Sequence, residues 1–60
     1  MKIVSEYTTN HSHRLKIKGG SKLDYAYWYG GNEIEMDGNF SAEQLQALVE
    51  FLKEKAGERS

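Results

Sequence analysis

The chain has 60 residues, no cysteine, no proline and a formal net charge of −1. A chain this short is one small domain at most, and a pocket enclosing a large cofactor would consume most of its core. The absence of cysteine excludes a disulfide framework and a thiolate metal site.

Composition is that of a globular chain: 38% hydrophobic, 28% charged, with four Tyr, two Phe and one Trp. It is too aromatic and too evenly charged for a disordered segment. The N-terminal stretch lacks an apolar signal core, with Glu6 already interrupting it, and no run approaches a membrane-spanning length. A cytoplasmic, soluble protein is expected, and Asn10-His11-Ser12 and Asn39-Phe40-Ser41 are discounted as glycosylation sites. Charge is segregated along the chain. Lys2, Arg14, Lys16, Lys18 and Lys22 precede Asp24, Glu33, Glu35, Asp37 and Glu43, with Glu6 the only acid before Asp24.

Residues 2–9 are rich in β-branched side chains and read as a first strand. Asn10-His11-Ser12 supplies a turn. Residues 13–18 alternate, Leu15 and Ile17 against Arg14, Lys16 and Lys18. Gly19-Gly20-Ser21 turns the chain again. Residues 22–29 alternate with Leu23, Tyr25, Tyr27 and Tyr29 on one parity. Gly30-Gly31-Asn32 precedes a short strand over 33–37, where Ile34 and Met36 oppose Glu33, Glu35 and Asp37. Period-two alternation bounded by Gly and Asn turns predicts hairpins. A register that keeps apolar parities together pairs Tyr7 with Leu15, Ile17 with Leu23, Leu15 with Tyr25, Lys16 with Asp24, and Tyr29 with Ile34.

The helix start is the strongest local signal. Ser41 and Gln44 form a capping box, and Phe40 with Leu45 suits a hydrophobic staple. Leu45, Leu48, Val49 and Leu52 follow a helical stripe widened by Phe51 and Ala56, and Gly57 suits a stop. The expectation is an α+β fold: a four-stranded antiparallel meander with one C-terminal helix over 42–56 on one face. Its expected core is Ile3, Tyr7, Leu15, Ile17, Leu23, Tyr25, Tyr27, Tyr29, Ile34 and Met36, with Phe40, Leu45, Leu48, Val49 and Leu52.

The other sheet face is left open, with Lys2, Val4, Glu6, Thr8, Arg14, Lys16, Lys18, Asp24, Ala26, Trp28, Glu33 and Glu35 expected on it. Trp28 stands out there as an interface anchor, because Trp, Tyr and Arg dominate binding hot spots. Cross-strand packing on Arg14 or on Lys and Glu stems is the plainer account of the same ring. Trp28, Arg14, Lys16, Lys18, Val4 and Glu35 are therefore the candidate partner-binding residues.

Catalytic and metal chemistry find little support. His11 and His13 lack further ligands at fixed spacing and read as turn residues. Gly19-Gly20-Ser21-Lys22 lacks the phosphate-loop spacing and a following helix. Glu33, Glu35 and Asp37 read as the solvated face of an edge strand rather than an acid–base site. No enzyme, cofactor, metal or small-molecule substrate is expected. The expected function is protein interaction through the open face, as a homodimer or as a regulator or inhibitor of a larger protein. The alternative is DNA binding through the basic comb Arg14, Lys16 and Lys18, since some modules present a sheet to the major groove. Asp37–Leu48 resembles the strand-to-helix junction of such domains, whereas Asp24, Glu33 and Glu35 stand where they carry basic residues.

Overall fold

The computed structural model describes residues 1–58. Four antiparallel strands form one sheet in sequential order: β1 (Ile3–Tyr7), β2 (His13–Ile17), β3 (Lys22–Trp28) and β4 (Ile34–Asp37). A single helix, α1 (Ala42–Glu58), packs across one face. The β-β-β-β-α architecture is the expected one, with the helix reaching Glu58 and the strands shorter than the alternation suggested.

Local chemistry explains where the elements begin. Ser41 N–H donates to Gln44 Oε1 at 2.8 Å, and Gln44 N–H donates to Ser41 Oγ at 3.1 Å, so two orphan donors of the first turn are satisfied reciprocally. The first connection is wider than a three-residue turn. Tyr7 pairs with His13, not Leu15. Residues 8–12 form the loop, closed by Thr8 N–H to the Ser12 carbonyl at 2.8 Å, with His11 in the left-handed region at φ 63°. Thr8 is thereby drawn into this loop and off the open face, its hydroxyl also donating to the Ser12 carbonyl at 3.1 Å.

The decisive departure lies in β3. Arg14 pairs with Tyr27 and His13 with Trp28, but Lys16 pairs with Lys22, so the register shifts around Leu15. This β-bulge reverses the parity of the strand part-way along. Leu23 still points to the helix, but from Ala26 onward the even residues do. Ala26 and Trp28 are buried, and Tyr25, Tyr27 and Tyr29 are turned to the other face or its rim. The third connection slips by one residue in consequence, Trp28 rather than Tyr29 facing Ile34.

The core is Ile3, Leu15, Leu23, Ala26 and Trp28 from the sheet with Ala47, Leu48 and Phe51 from the helix, flanked by Ile17, Ile34, Phe40 and Leu52. Tyr7, Tyr25, Tyr29, Met36, Leu45 and Val49, expected inside, are exposed, and Tyr27 is only half-buried. The physical reason favours the indole. Burying the odd parity would enclose several phenol hydroxyls, each costing about 1–3 kcal/mol if unpaired. Trp28 carries one donor, and its Nε1–H reaches the Gly31 carbonyl at 2.9 Å. Its ring meets Phe51 edge-on at 5.3 Å, with the Lys55 ammonium 5.5 Å from the indole centroid.

Candidate functional site: the open sheet face

Inversion of β3 changes what the open face displays. Trp28, the expected anchor, is 8% exposed and belongs to the core; Ala26 leaves the face with it. In their place stand three tyrosines that the alternation had assigned to the interior. Tyr25 and Tyr29 are 47% and 56% exposed. The even residues of β1 and β2 and the odd residues of β4 share this side, because Val4 pairs with Lys16, Glu6 with Arg14, Tyr27 with Glu35 and Tyr25 with Asp37.

One carboxylate organises the tyrosines. Glu35 Oε1 accepts from Tyr25 Oη–H at 2.8 Å and from Tyr29 Oη–H at 3.0 Å. Those hydrogen bonds, and the adjacent negative charge, push both phenols above the ordinary tyrosine value of 10.0. The Tyr25 and Tyr27 rings lie 4.9 Å apart at 58°. Arg14 completes the group: Nη1 donates to Tyr27 Oη at 3.0 Å, and the guanidinium carbon sits 5.6 Å from the Tyr27 centroid.

Basic residues of the face are largely committed. Lys16 and Lys22 converge on Glu6, at 3.2 and 3.5 Å. The Lys16 hydrogen bond, then the Lys16 and Lys22 charges, lower the Glu6 carboxyl below its ordinary value. Lys18 lies past the end of β2, where its N–H donates to the Lys2 carbonyl at 2.7 Å, and its side chain is exposed at the margin. The basic comb is therefore two residues on β2, one bound to a tyrosine and one to a glutamate. Asp24, at the bulge, lies close to Gly38: the glycine has a φ of 111°, and a Cβ added there would sit 3.0 Å from Asp24 Oδ2, so Asp24 would have to shift.

No protein-family model, curated protein or solved structure matches this chain. Of the six candidate residues, Val4, Arg14, Lys16 and Glu35 share the open face, Lys18 borders it and Trp28 lies on the opposite side. Tyr25, Tyr27 and Tyr29 were missed because their shared parity reads as core. The signal available was Trp28 itself, since the two parities of one strand cannot both be buried under a single helix.

His11 and His13 are occupied by aromatic neighbours. Tyr7 Oη and His11 Nδ1 are 3.2 Å apart. His13 lies between Tyr7 and Trp28, with centroids 5.4 and 5.0 Å away. No helix of the described residues is long and apolar enough to cross a membrane.

Proposed function

We propose that the chain is a small cytoplasmic protein-binding module, a regulator or inhibitor of a larger protein, acting through the open sheet face. The observation that carries this reading is the tethered tyrosine group: Tyr25 and Tyr29 exposed on a sheet and held by one carboxylate. Tyrosine offers large amphipathic contact area with few rotors, and holding the rings beforehand lowers the entropic cost of docking. Tyr and Arg are also the residue types enriched in binding hot spots. A homodimer through the same face is the self-partnered form of this reading.

Nucleic acid is the second reading. Tyr25 and Tyr27 beside Arg14 and Lys16 offer bases a surface on which to stack. Phosphate binding scales with the charges neutralised, and here Lys16 and Lys22 are paired with Glu6 while Glu35 and Asp37 share the face.

Affinity capture from cell extract by the wild type, by Tyr25→Ala/Tyr29→Ala and by Lys53→Ala on the exposed helix surface tests the proposal. Capture of a defined protein lost only in the tyrosine variant supports it, as does a dimer mass by light scattering that reverts to monomer in that variant. Capture indifferent to the tyrosines overturns it. Oligonucleotide binding that falls steeply with salt and with Arg14→Ala replaces it with the second reading.

A further inference from the structure

β4 ends the sheet, and half of its backbone N–H and C=O groups point away from β3. Its two sides are chemically opposite. Glu35 and Asp37 lie on the open-face side, opposite Tyr27 and Tyr25. Ile34 and Met36 lie on the helix side, opposite Trp28 and Ala26.

The helix covers that second side only in part: Ile34 is half-buried against the core, whereas Met36 is exposed. Lys2 Nζ bonds Glu54 at 3.3 Å, and Ala47, Glu50 and Glu54 line a groove with Ile3, so this flank of α1 leans over β1. At 100° per residue, Leu45 and Leu52 fall on the opposite flank, toward β4, and Val49 falls on the helix back. Met36 and Leu45 are 39% and 44% exposed, an apolar ledge beside an unpaired strand.

We infer that the β4 edge receives an extended segment of a partner protein, alternating basic and apolar side chains, as a fifth strand of the sheet. This rests on the reading of the sheet as a protein-binding surface and names the chemistry of its partner. Strand addition supplies backbone hydrogen bonds, and alternate side chains supply the specificity. Apolar side chains of the added strand lie beside Met36 and beneath Leu45. Its basic side chains lie beside Glu35 and Asp37, next to the Tyr25 and Tyr29 rings.

The same charges select against a second copy. Antiparallel pairing of two β4 edges about a two-fold axis brings Glu35 and Asp37 of one copy beside those of the other, and like charges facing across strands are destabilising. A cationic segment reverses that sign at each contact.

The test titrates the folded protein with a ten-residue peptide alternating Lys and Val. A second peptide of the same composition has the lysines in one block, and a third alternates Glu and Val. Amide NMR shifts and hydrogen exchange are followed. The expected result is binding of the Lys/Val peptide about tenfold tighter than the block peptide, no binding of the Glu/Val peptide, and slowed exchange at outward-facing amides of residues 34–37. Glu35→Lys/Asp37→Lys is expected to invert the preference between the Lys and Glu peptides. Equal affinity for the alternating and block peptides overturns the inference, as does indifference to the charge of peptide or protein. Shifts confined to Tyr25 and Tyr29, with β4 amides unprotected, overturn strand addition but leave the open-face reading standing. A dimer whose interface protects the β4 amides overturns it in favour of a second copy. Absence of peptide binding, with an oligonucleotide alone shifting the Tyr25 and Tyr29 amides in a strongly salt-dependent way, overturns both readings.

Discussion

Replacing Trp28 with alanine tests the central claim about the fold, that the bulge in β3 turns this ring toward the helix. Trp28 is 8% exposed, lies edge-on to Phe51 at 5.3 Å and donates to the Gly31 carbonyl at 2.9 Å. Truncating a buried aromatic of this kind costs about 3–5 kcal/mol. A domain of 60 residues has about 3–9 kcal/mol in all, from roughly 0.05–0.15 kcal/mol per residue. Trp28→Ala should therefore remove most of the stability, and Trp28→Phe, which keeps a ring against Phe51 but loses the indole donor, about 1–2 kcal/mol. Tyr25→Ala, on the exposed face, should change stability by no more than about 0.5 kcal/mol. Urea unfolding followed by circular dichroism measures all three, since removal of the single tryptophan also removes the fluorescent probe. In the wild type that probe should emit as a buried indole and resist quenching by iodide. A loss below about 1 kcal/mol for Trp28→Ala, with a larger one for Tyr25→Ala, would refute the reasoning and restore uninterrupted alternation in β3.

Leu48→Ala, at the centre of the buried helix stripe, should cost roughly 2–5 kcal/mol in the same assay; a loss under about 1 kcal/mol would mean that the helix packs by another face. Gly38→Ala should destabilise by more than about 1 kcal/mol, because a Cβ there meets Asp24 and the backbone sits at φ 111°; an unchanged unfolding midpoint would contradict the close approach. Phenolate absorbance should show Tyr25 and Tyr29 ionising above the usual tyrosine value, and Glu35→Gln should return them toward it. A raised phenol pKa means the Glu35 bonds contribute below the ordinary value and are lost as pH rises through the raised one. The lowered Glu6 carboxyl works in the opposite sense: its lysine contacts contribute above the ordinary carboxylate value and are lost as pH falls through the lowered one, so Glu6→Gln should flatten the acid limb of stability against pH. An acid limb identical in Glu6→Gln would contradict that coupling.

Much of the architecture was legible from local pattern. Ser41, Gln44 and the stripe through Leu48 and Phe51 carry their own reasons for a helix, because capping and amphipathic periodicity act within a few residues. Short alternating runs bounded by Gly and Asn turns were enough for four sequential antiparallel strands. Arg14, Lys16, Val4 and Glu35 were placed on the open face by the same alternation, which holds in β1, β2 and β4.

Only tertiary structure decided the parity of β3 and the edge that the helix leaves bare. In Lys22–Trp28 both parities carry aromatic rings, so alternation offered two faces and no means of choosing between them. The choice depended on partners remote in sequence: Phe51 to receive the indole, Glu35 and Arg14 to receive the phenols. Leu45 belongs to an apolar stripe by periodicity, yet lies exposed because α1 leans toward β1, where Lys2 meets Glu54, and Val49 lies exposed because burial of Ala47, Leu48 and Phe51 places it on the helix back. Hydrophobic period specifies that a side chain prefers burial. Which of two competing faces is buried is set by the polar atoms each would strand and by the area a single helix can cover.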